Sequence, residues 1–226
     1  MPLEIERKYL IKNDKWRQLP IEAVKELTQS YIQRTCDIHI IFCDQDQITL
    51  RFADKGHNFS SLVQVTSDDY RDFKKIQELP EFDLDTNLLT KGKRMSCRLR
   101  LETEGDKKTG YFTVKKDTGD SEINNEFQIP VPYEFAAQVI AAICVDTVNK
   151  TRHVIPYEGF KWEVDQFHGT LSKLFIAEVE VKDPSLFETM KKLPSAGKNV
   201  TAVKGISNKD LGRHGIPDSI KALLKL

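Results

Sequence analysis

Two carboxylates and an ammonium group alternate with apolar residues near the start of the chain. Glu4, Glu6 and Lys8 stand at every second position of the segment 3–10. Alternate side chains of a β-strand point to opposite faces, so these three groups would share one face, about 7 Å apart. Carboxylate oxygens at this spacing can hold a hard divalent cation such as Mg²⁺ or Mn²⁺. Solvent-exposed strands often carry such charges, so this segment alone does not indicate a function.

The same alternation returns in further segments, and each of them carries charges of one sign. The positions concerned are Arg98 with Arg100, Lys115, Glu126, Glu163 with Asp165, and Glu178 with Glu180. Scattered surface strands have no reason to sort their charges in this way, whereas a barrel with a charged lumen does. The pattern predicts an α+β fold, mainly an antiparallel β-barrel that forms a charged tunnel, with helices packed on its outside.

Taken in order, these segments resemble the CYTH superfamily, also called the triphosphate tunnel metalloenzymes. The Glu-x-Glu-x-Lys strand is similar to the family signature, and the later charged elements follow in the family's order. Residues 199–201 and 207–211 are similar to the closing stretch of bacterial members. The resemblance covers residues 1–35 and 93–215. It rests on Glu4-x-Glu6-x-Lys8, Arg98-x-Arg100, Lys115, Glu126, Lys150-Thr151-Arg152, Glu163-Val164-Asp165 and Glu178-x-Glu180.

The resemblance implies a phosphate clamp built from basic side chains. Arginine suits this role because its planar fork grips phosphate oxygens with two hydrogen bonds and stays charged. Glu126 belongs to the implied catalytic set together with the clamp. For Lys150 and for Glu163, an internal ion pair or a solvated charge explains the residue equally well. The clamp comprises Lys8, Arg98, Arg100, Lys115 and Arg152, with Lys150 and Lys204 as further substrate-binding residues.

The resemblance also implies a divalent metal site. One or two Mg²⁺ or Mn²⁺ ions would bridge phosphate oxygens and activate water, as in other phosphoryl transfers. The implied ligands are Glu4, Glu6, Asp165, Glu178 and Glu180. The implied activity is therefore metal-dependent hydrolysis of inorganic tripolyphosphate, or of an organic triphosphate such as thiamine triphosphate.

Two alternatives remain open from the sequence. A class IV adenylyl cyclase would use the same clamp to release pyrophosphate from ATP, and a non-catalytic polyphosphate or nucleotide-binding protein would keep the clamp without turnover. The segment 4–10 resembles small bacterial triphosphatases more than the cyclases, which favours hydrolysis. The implied partner is a triphosphate-containing small molecule, and a homodimer is compatible with the family.

Composition narrows the remaining classes of partner. The 226 residues carry 34 Lys and Arg against 34 Asp and Glu, a formal net charge of zero. A basic excess that would attract nucleic acid or a membrane surface is therefore absent. The sequence has no apolar run of membrane-spanning length and enters its first strand at once, so we expect neither a membrane span nor a signal peptide. The four cysteines lack C-x-x-C spacing, which favours reduced thiols in a cytoplasmic protein.

Spacing and breaker residues predict few helices in a single domain that spans 1–226. Asn13 or Asp14 would begin a first helix, and residues 21–29 have helical spacing at Val24 and Leu27. Residues 133–145 form the clearest helical pattern. A short helix is predicted at 184–193 and a last one at 220–226, and most other residues are predicted to form strands and turns.

The segment 37–92 departs from the family pattern and is predicted to be an inserted β-meander. Its segments 48–52, 62–66 and 76–80 echo the later series 97–101, 111–115 and 127–130. A duplication is one interpretation, although any two meanders look alike. We expect the insertion to supply wall, lid or partner surface, with Arg51 as its one charge that could face the lumen.

Overall fold

Strands make up nearly half of the described chain, and eight of them close into a barrel. The structure, a computed structural model, describes residues 3–44 and 46–225. Its strands are β1 Leu3–Ile11, β2 Ala23–Ile32, β3 Asp37–Phe42, β4 Gln47–Asp54, β5 His57–Gln64, β6 Phe82–Asp83, β7 Leu88–Leu89, β8 Met95–Glu104, β9 Lys107–Asp117, β10 Ile123–Val131, β11 Cys144–Tyr157, β12 Phe160–Phe167, β13 Phe175–Glu180 and β14 Ala196–Asn199.

Eight of these strands form the barrel, in the order β1, β10, β9, β8, β2, β11, β12, β13 and back to β1. The ring closes between β1 and β10, where Leu3 lies opposite Asn125 and Ile5 opposite Ile123. All pairings in the ring are antiparallel. Strand β14 adds to β1 further along, with Ile11 opposite Ala196. The prediction of a mainly antiparallel barrel in an α+β fold is confirmed.

The helices lie outside the barrel and are short. They are α1 Ser67–Lys74, α2 Tyr133–Ile143, α3 Leu186–Thr189, α4 Asn208–His214 and α5 Asp218–Leu224, with 3₁₀ turns at Asp14–Gln18, Lys75–Glu78 and Gly169–Leu171. Helix α2 buries Phe135, Ala136 and Val139 in the same apolar cluster as the outer face of β8 and β9. Within the described ranges, no helix is long and apolar enough to span a membrane.

The outward faces of the strands supply the hydrophobic core. Leu99, Phe112 and Phe127 alternate with the charged residues and are almost fully buried. Burial of each such side chain contributes about 1.5–3 kcal/mol to stability, before the entropy cost of ordering it. The stable packing therefore lies outside the barrel wall, and the inward face is left for polar and charged groups.

The inserted segment forms a second sheet that packs on this outer wall. Its strand order is β5, β4, β3, β7 and β6. The buried face of the sheet includes Ile38, Leu50 and Phe52, and the Phe52 ring contacts Phe112 of β9 with centroids 5.3 Å apart. Arg51 lies on the opposite, exposed face. This placement puts Arg51 away from the lumen.

The third strand predicted within the insertion is wrong. Residues 76–80 lie in and just after the 3₁₀ turn Lys75–Glu78, and the preceding residues 67–74 form helix α1. Thr66 begins this helix, because its side chain accepts a hydrogen bond from the Asp69 amide, 3.1 Å away. A threonine followed by two aspartates in the first turn is a typical helix start, and it ends the resemblance to the later meander.

The helix predicted at 21–29 is also wrong, because residues 23–29 belong to β2. Strand β2 pairs with β8 on one side and with β11 on the other. Two full ladders of backbone hydrogen bonds outweigh the weak helical spacing of Val24 and Leu27.

The remaining helix predictions hold with changed boundaries. Helix α2 ends at Ile143, two residues before the predicted end, because Cys144 already begins β11. Helix α3 occupies only Leu186–Thr189 of the predicted 184–193. The first helix is the 3₁₀ turn after Asn13, whose side chain accepts from the Lys15 amide. Helix α5 begins at Asp218, two residues before the predicted start, and ends at Leu224, while the predicted end, Leu226, falls outside the described residues.

Candidate active site in the barrel lumen

Strand register brings the charged residues together inside the barrel. Lys8 of β1 lies opposite Glu178 of β13, and Glu178 in turn lies opposite Glu163 of β12. Across the barrel, Lys115 of β9 lies opposite Glu126 of β10. These strands surround a cavity of about 790 Å³. Its lining includes Glu4, Glu6, Lys8, Arg98, Arg100, Lys115, Glu126, Arg152, Glu163, Glu178, Glu180 and Lys204.

Two lysines hold the acids of β1 and β13. The Lys8 ammonium lies 2.8 Å from a Glu6 oxygen and 2.7 Å from a Glu178 oxygen. Lys115 contacts Glu4 and lies 3.4 Å from Glu6. Burial disfavours the Glu6 carboxylate, but the charges of Lys8 and Lys115 outweigh burial and hold its pKa below the ordinary value.

Glu4 behaves differently from Glu6. Burial, together with the nearby carboxylates of Glu6 and Glu126, raises the pKa of Glu4 to about 8 despite its contact with Lys115. Glu180, which lies opposite Glu6, also has a raised pKa, caused by burial and then by the charges of Glu126 and Glu6. This part of the lumen therefore holds more carboxylates than its lysines can neutralise, and a further cation would relieve the repulsion.

Arg152 is held by three acids, one of which is the Glu178 that also pairs with Lys8. Its guanidinium forms a bidentate pair with Asp165, with both N–O distances 2.7 Å, and donates to Glu178 at 2.7 Å and to Glu163. Burial disfavours its charge, but the Asp165 and Glu163 charges outweigh burial and raise the pKa of Arg152 well above its ordinary value. The group stays a cation with a fixed orientation.

Lys150 and Asp165 lie behind Arg152 and do not line the cavity. They are 1% and 0% exposed and contact each other. Both Asp165 oxygens are therefore engaged, one by Arg152 alone and the other by Arg152 and Lys150. The structure thus brings the predicted residues Lys150 and Asp165 beside the site, with Lys150 in the internal ion pair that the sequence had left open.

The two arginines of β8 have less complete partners. Arg98 donates to Glu126 at 3.3 and 3.4 Å, and Arg100 donates to Gln128 at 3.4 Å and lies over the Tyr111 ring. The Nε groups of both arginines are buried and have no hydrogen-bond partner among the described residues. A buried, unpaired guanidinium N–H costs free energy until an acceptor arrives. This geometry fits an anion with several oxygens.

The acidic side chains of the lumen are of the chemical type that binds a hard divalent cation. The candidate ligands Glu4, Glu6, Glu178 and Glu180 are all carboxylates, the ligand type that Mg²⁺ and Mn²⁺ prefer. In the described chain, no three His, Cys, Asp or Glu side chains are yet grouped closely enough to hold a metal ion. The ion pairs explain this, because Lys8 and Lys115 draw the carboxylates of Glu4, Glu6 and Glu178 toward themselves.

The sequence interpretation missed several groups that line the same cavity. Lys25, Gln29 and Tyr31 project from β2, and the Gln29 amide donates to the Tyr31 hydroxyl at 2.7 Å. Their spacing of two residues could have revealed them, had the segment been interpreted as a strand. Residues 93–96 and 201–210 also line the cavity; of these, Lys204 was predicted, and no spacing pattern marks the others.

Comparisons with known proteins give a sequence relative and several solved structures. No family model matches the sequence. The inorganic triphosphatase of Acetivibrio thermocellus is 36% identical over 115 residues, which cover 50% of this chain and 70% of the relative. Among solved structures, the inorganic triphosphatase NE1496 gives a TM-score of 0.46 at 20% identity and covers 94% of this chain and 95% of that chain. The PH1819 protein of Pyrococcus horikoshii OT3 gives 0.45 at 15% identity and covers 82% of each.

The sequence relative decides the family. The solved structures, with TM-scores below 0.5, are not used to assign the family. The 36% identity across 70% of the relative's length shows common descent. The order of charged strands around a closed barrel agrees with that assignment. The chain belongs to the CYTH superfamily, the triphosphate tunnel metalloenzymes.

Proposed function

We propose that the protein hydrolyses a triphosphate inside the barrel lumen with the help of a divalent metal ion. The observation that carries this proposal is the pair of arginines on β8: both line the charged cavity, and their buried Nε groups have no hydrogen-bond partner among the described residues. The kinship with an inorganic triphosphatase supports the same substrate class.

The basic groups of the lumen would hold the phosphate oxygens. Arg98 and Arg100 offer Nε–H groups for which the described residues provide no acceptor. The bidentate pair with Asp165 fixes the orientation of Arg152. Lys8 and Lys115 would exchange their carboxylate partners for phosphate oxygens. These five cations would surround the triphosphate. They would hold its phosphoryl group in line with an attacking water and stabilise the negative charge that develops.

Glu4, Glu6 and Glu178, once released from Lys8 and Lys115, would hold the metal together with Glu180. A Mg²⁺ or Mn²⁺ ion bound there would neutralise phosphate charge and lower the pKa of a water. Glu126 would remain beside Arg98 and Lys115, holding both cations toward the substrate. We assign Asp165 to the positioning of Arg152, because both of its oxygens are already engaged.

A single assay tests the proposal. The protein is incubated with tripolyphosphate, thiamine triphosphate or ATP, each with Mg²⁺, Mn²⁺ or a chelator, and phosphate, pyrophosphate and cyclic AMP are measured. We expect metal-dependent release of phosphate. Cyclic AMP with pyrophosphate from ATP would instead show a class IV cyclase, and ligand binding without any product would show a binding protein.

A further inference from the structure

The inserted sheet ends in a long strand that has a partner on one side only. Among the described residues, β5, His57–Gln64, pairs with β4 alone and forms one edge of the sheet. The opposite edge of the same sheet is β6, which has two residues. A strand at a sheet edge presents a row of unpaired backbone groups to a further strand.

Two hydrogen bonds show which residues of β5 present these groups. The Val65 amide, just after β5, donates to the Asp46 carbonyl at 3.1 Å. On the other side of β4, the Cys43 amide donates to the Gln47 carbonyl at 2.9 Å. Backbone groups of an antiparallel strand alternate between its two sides. The odd-numbered residues of β5 therefore bond to β4, and the even-numbered residues point their backbone groups away from it.

Three even-numbered residues make up the free edge: Asn58, Ser60 and Leu62. Their amides and carbonyls have no hydrogen-bond partner in the part of the chain that the structure describes. All three side chains are exposed, and Leu62 keeps 57% of its surface accessible. The edge is thus open to a further strand along its backbone.

The edge also lacks the usual protection against such a contact. Natural edge strands are commonly protected by charged residues, proline or a bulge. The segment 57–64 contains no Asp, Glu, Lys, Arg or Pro, and its register with β4 runs without a shift. The other edge, β6, is short and carries Asp83. The difference between the two edges favours strand β5 as a surface for association.

Strand β5 is complementary to a second copy of itself. If two β5 strands run antiparallel about a two-fold axis at Ser60, then Ser60 lies opposite Ser60 of the second copy, and Asn58 lies opposite Leu62. This register pairs the outward backbone groups of all three residues. On the other face, the partly buried Phe59 ring comes to lie opposite Ser61 of the second copy. Because the strand has no charged residue, the pairing meets no repulsion between like charges.

We infer that β5 is a dimerisation edge, through which two copies of this chain join their five-stranded sheets into one continuous sheet. The contact between two edge strands is small compared with a standard interface. We therefore expect a reversible dimer with a dissociation constant on the order of 10 µM. The inference does not depend on the proposed hydrolysis, because no described residue of the segment 37–92 lines the cavity.

Charge substitutions at the two-fold axis test the inference. S60E and S60K each place like charges opposite each other, so each should raise the dissociation constant in analytical ultracentrifugation about tenfold. An equimolar mixture of the two variants should associate again, because opposite charges then meet at the axis. T49E is the control, since Thr49 lies on the same sheet face but its strand β4 is paired on both sides. We expect T49E to keep the dissociation constant within about twofold of the wild type.

Cysteine cross-linking tests the register. The Cα atoms of a hydrogen-bonded antiparallel pair lie about 5.5 Å apart, a distance that a disulfide can span. S60C should therefore form a covalent dimer on mild oxidation, whereas N58C should not, because Asn58 lies opposite Leu62 of the second copy. A wild type that remains monomeric at about 100 µM would overturn the inference. A dimer that persists unchanged in S60E and S60K, or equal cross-linking of S60C and N58C, would overturn it as well.

Discussion

At the scale of single residues, neighbouring acids on one strand differ in their state. Glu4 and Glu6 are two residues apart on the same face, yet burial and nearby acids raise the pKa of Glu4 to about 8, while Lys8 and Lys115 lower that of Glu6. At pH 7 without metal, Glu4 is therefore largely protonated and Glu6 is charged. The two positions should respond differently to the same substitution.

We predict that E4Q leaves the free energy of unfolding of the metal-free protein at pH 7 nearly unchanged. By contrast, E6Q should lower it by about 1–3 kcal/mol, because Lys8 and Lys115 lose a charged partner. Both variants should weaken Mn²⁺ binding at least tenfold and reduce turnover by orders of magnitude. Urea unfolding and metal titration measure these effects, and E22Q, an exposed acid before β2, is the control. Equal destabilisation by E4Q and E6Q would contradict the assignment of charge states.

At the scale of elements, the barrel strands carry function on one face and packing on the other. On β11, Arg152 faces the lumen, while the next residue, His153, is buried outside against the Trp16 ring, with centroids 4.8 Å apart. Burial lowers the pKa of His153 below its ordinary value of 6.5, and the nearby Arg17 charge adds to this despite an opposing backbone hydrogen bond. The folded protein therefore prefers neutral His153.

This preference predicts a loss of stability in acid. Since the pKa of His153 is lower in the folded than in the unfolded state, the unfolded chain binds the proton first as the pH falls below 6.5. His153 should contribute its full stabilisation above pH 6.5 and lose it progressively below. We expect the free energy of unfolding of H153Q to depend less on pH than that of the wild type between pH 6.5 and 5. Parallel pH profiles for the two proteins would show that His153 does not contribute.

The second sheet packs on the outer wall of the barrel and contributes no residue to the lining of the cavity. Arg51 is exposed on the face turned away from the barrel. We predict that R51A changes turnover less than twofold, a difference below about 0.5 kcal/mol in the barrier, whereas R98A reduces it by orders of magnitude. Steady-state kinetics of both variants decide the matter, and comparable losses would place the sheet within the active site.

At the scale of the whole molecule, cations and acids of the lumen hold one another. Lys8, Lys115 and Arg152 contact acids that are also candidate metal ligands, as Lys8 does with Glu6 and Glu178. An anion alone would take the lysines and leave the carboxylates unneutralised, and a metal alone would leave the lysines. Only a metal and a triphosphate together replace the partners of both.

We therefore predict that metal and triphosphate stabilise the fold cooperatively. Tripolyphosphate with Mg²⁺ should add about 2.7 kcal/mol at a hundred times its dissociation constant, and either ligand alone should add much less. Thermal unfolding with each ligand separately and together measures the coupling. The variant R98A/R100A should lose the combined shift, and a full shift with tripolyphosphate in the presence of a chelator would contradict the coupling.

The amino-acid sequence alone was enough to predict the order of the charged strands and the shared face of their alternating residues. Period-two alternation is local, so Glu4 with Glu6 and Arg98 with Arg100 could be assigned to one face from the chain alone. The spacing of side chains did not show that residues 23–29 form a strand, because only the ladders with β8 and β11 outweigh their helical spacing. The pairing of Asp165 with Lys150 and Arg152 follows only from the folded chain, as do the hydrogen bonds of Arg34 and Lys91 that join the two ends of the 37–92 segment. These facts depend on the register between strands that are distant in sequence, and a single chain's pattern does not encode that register locally.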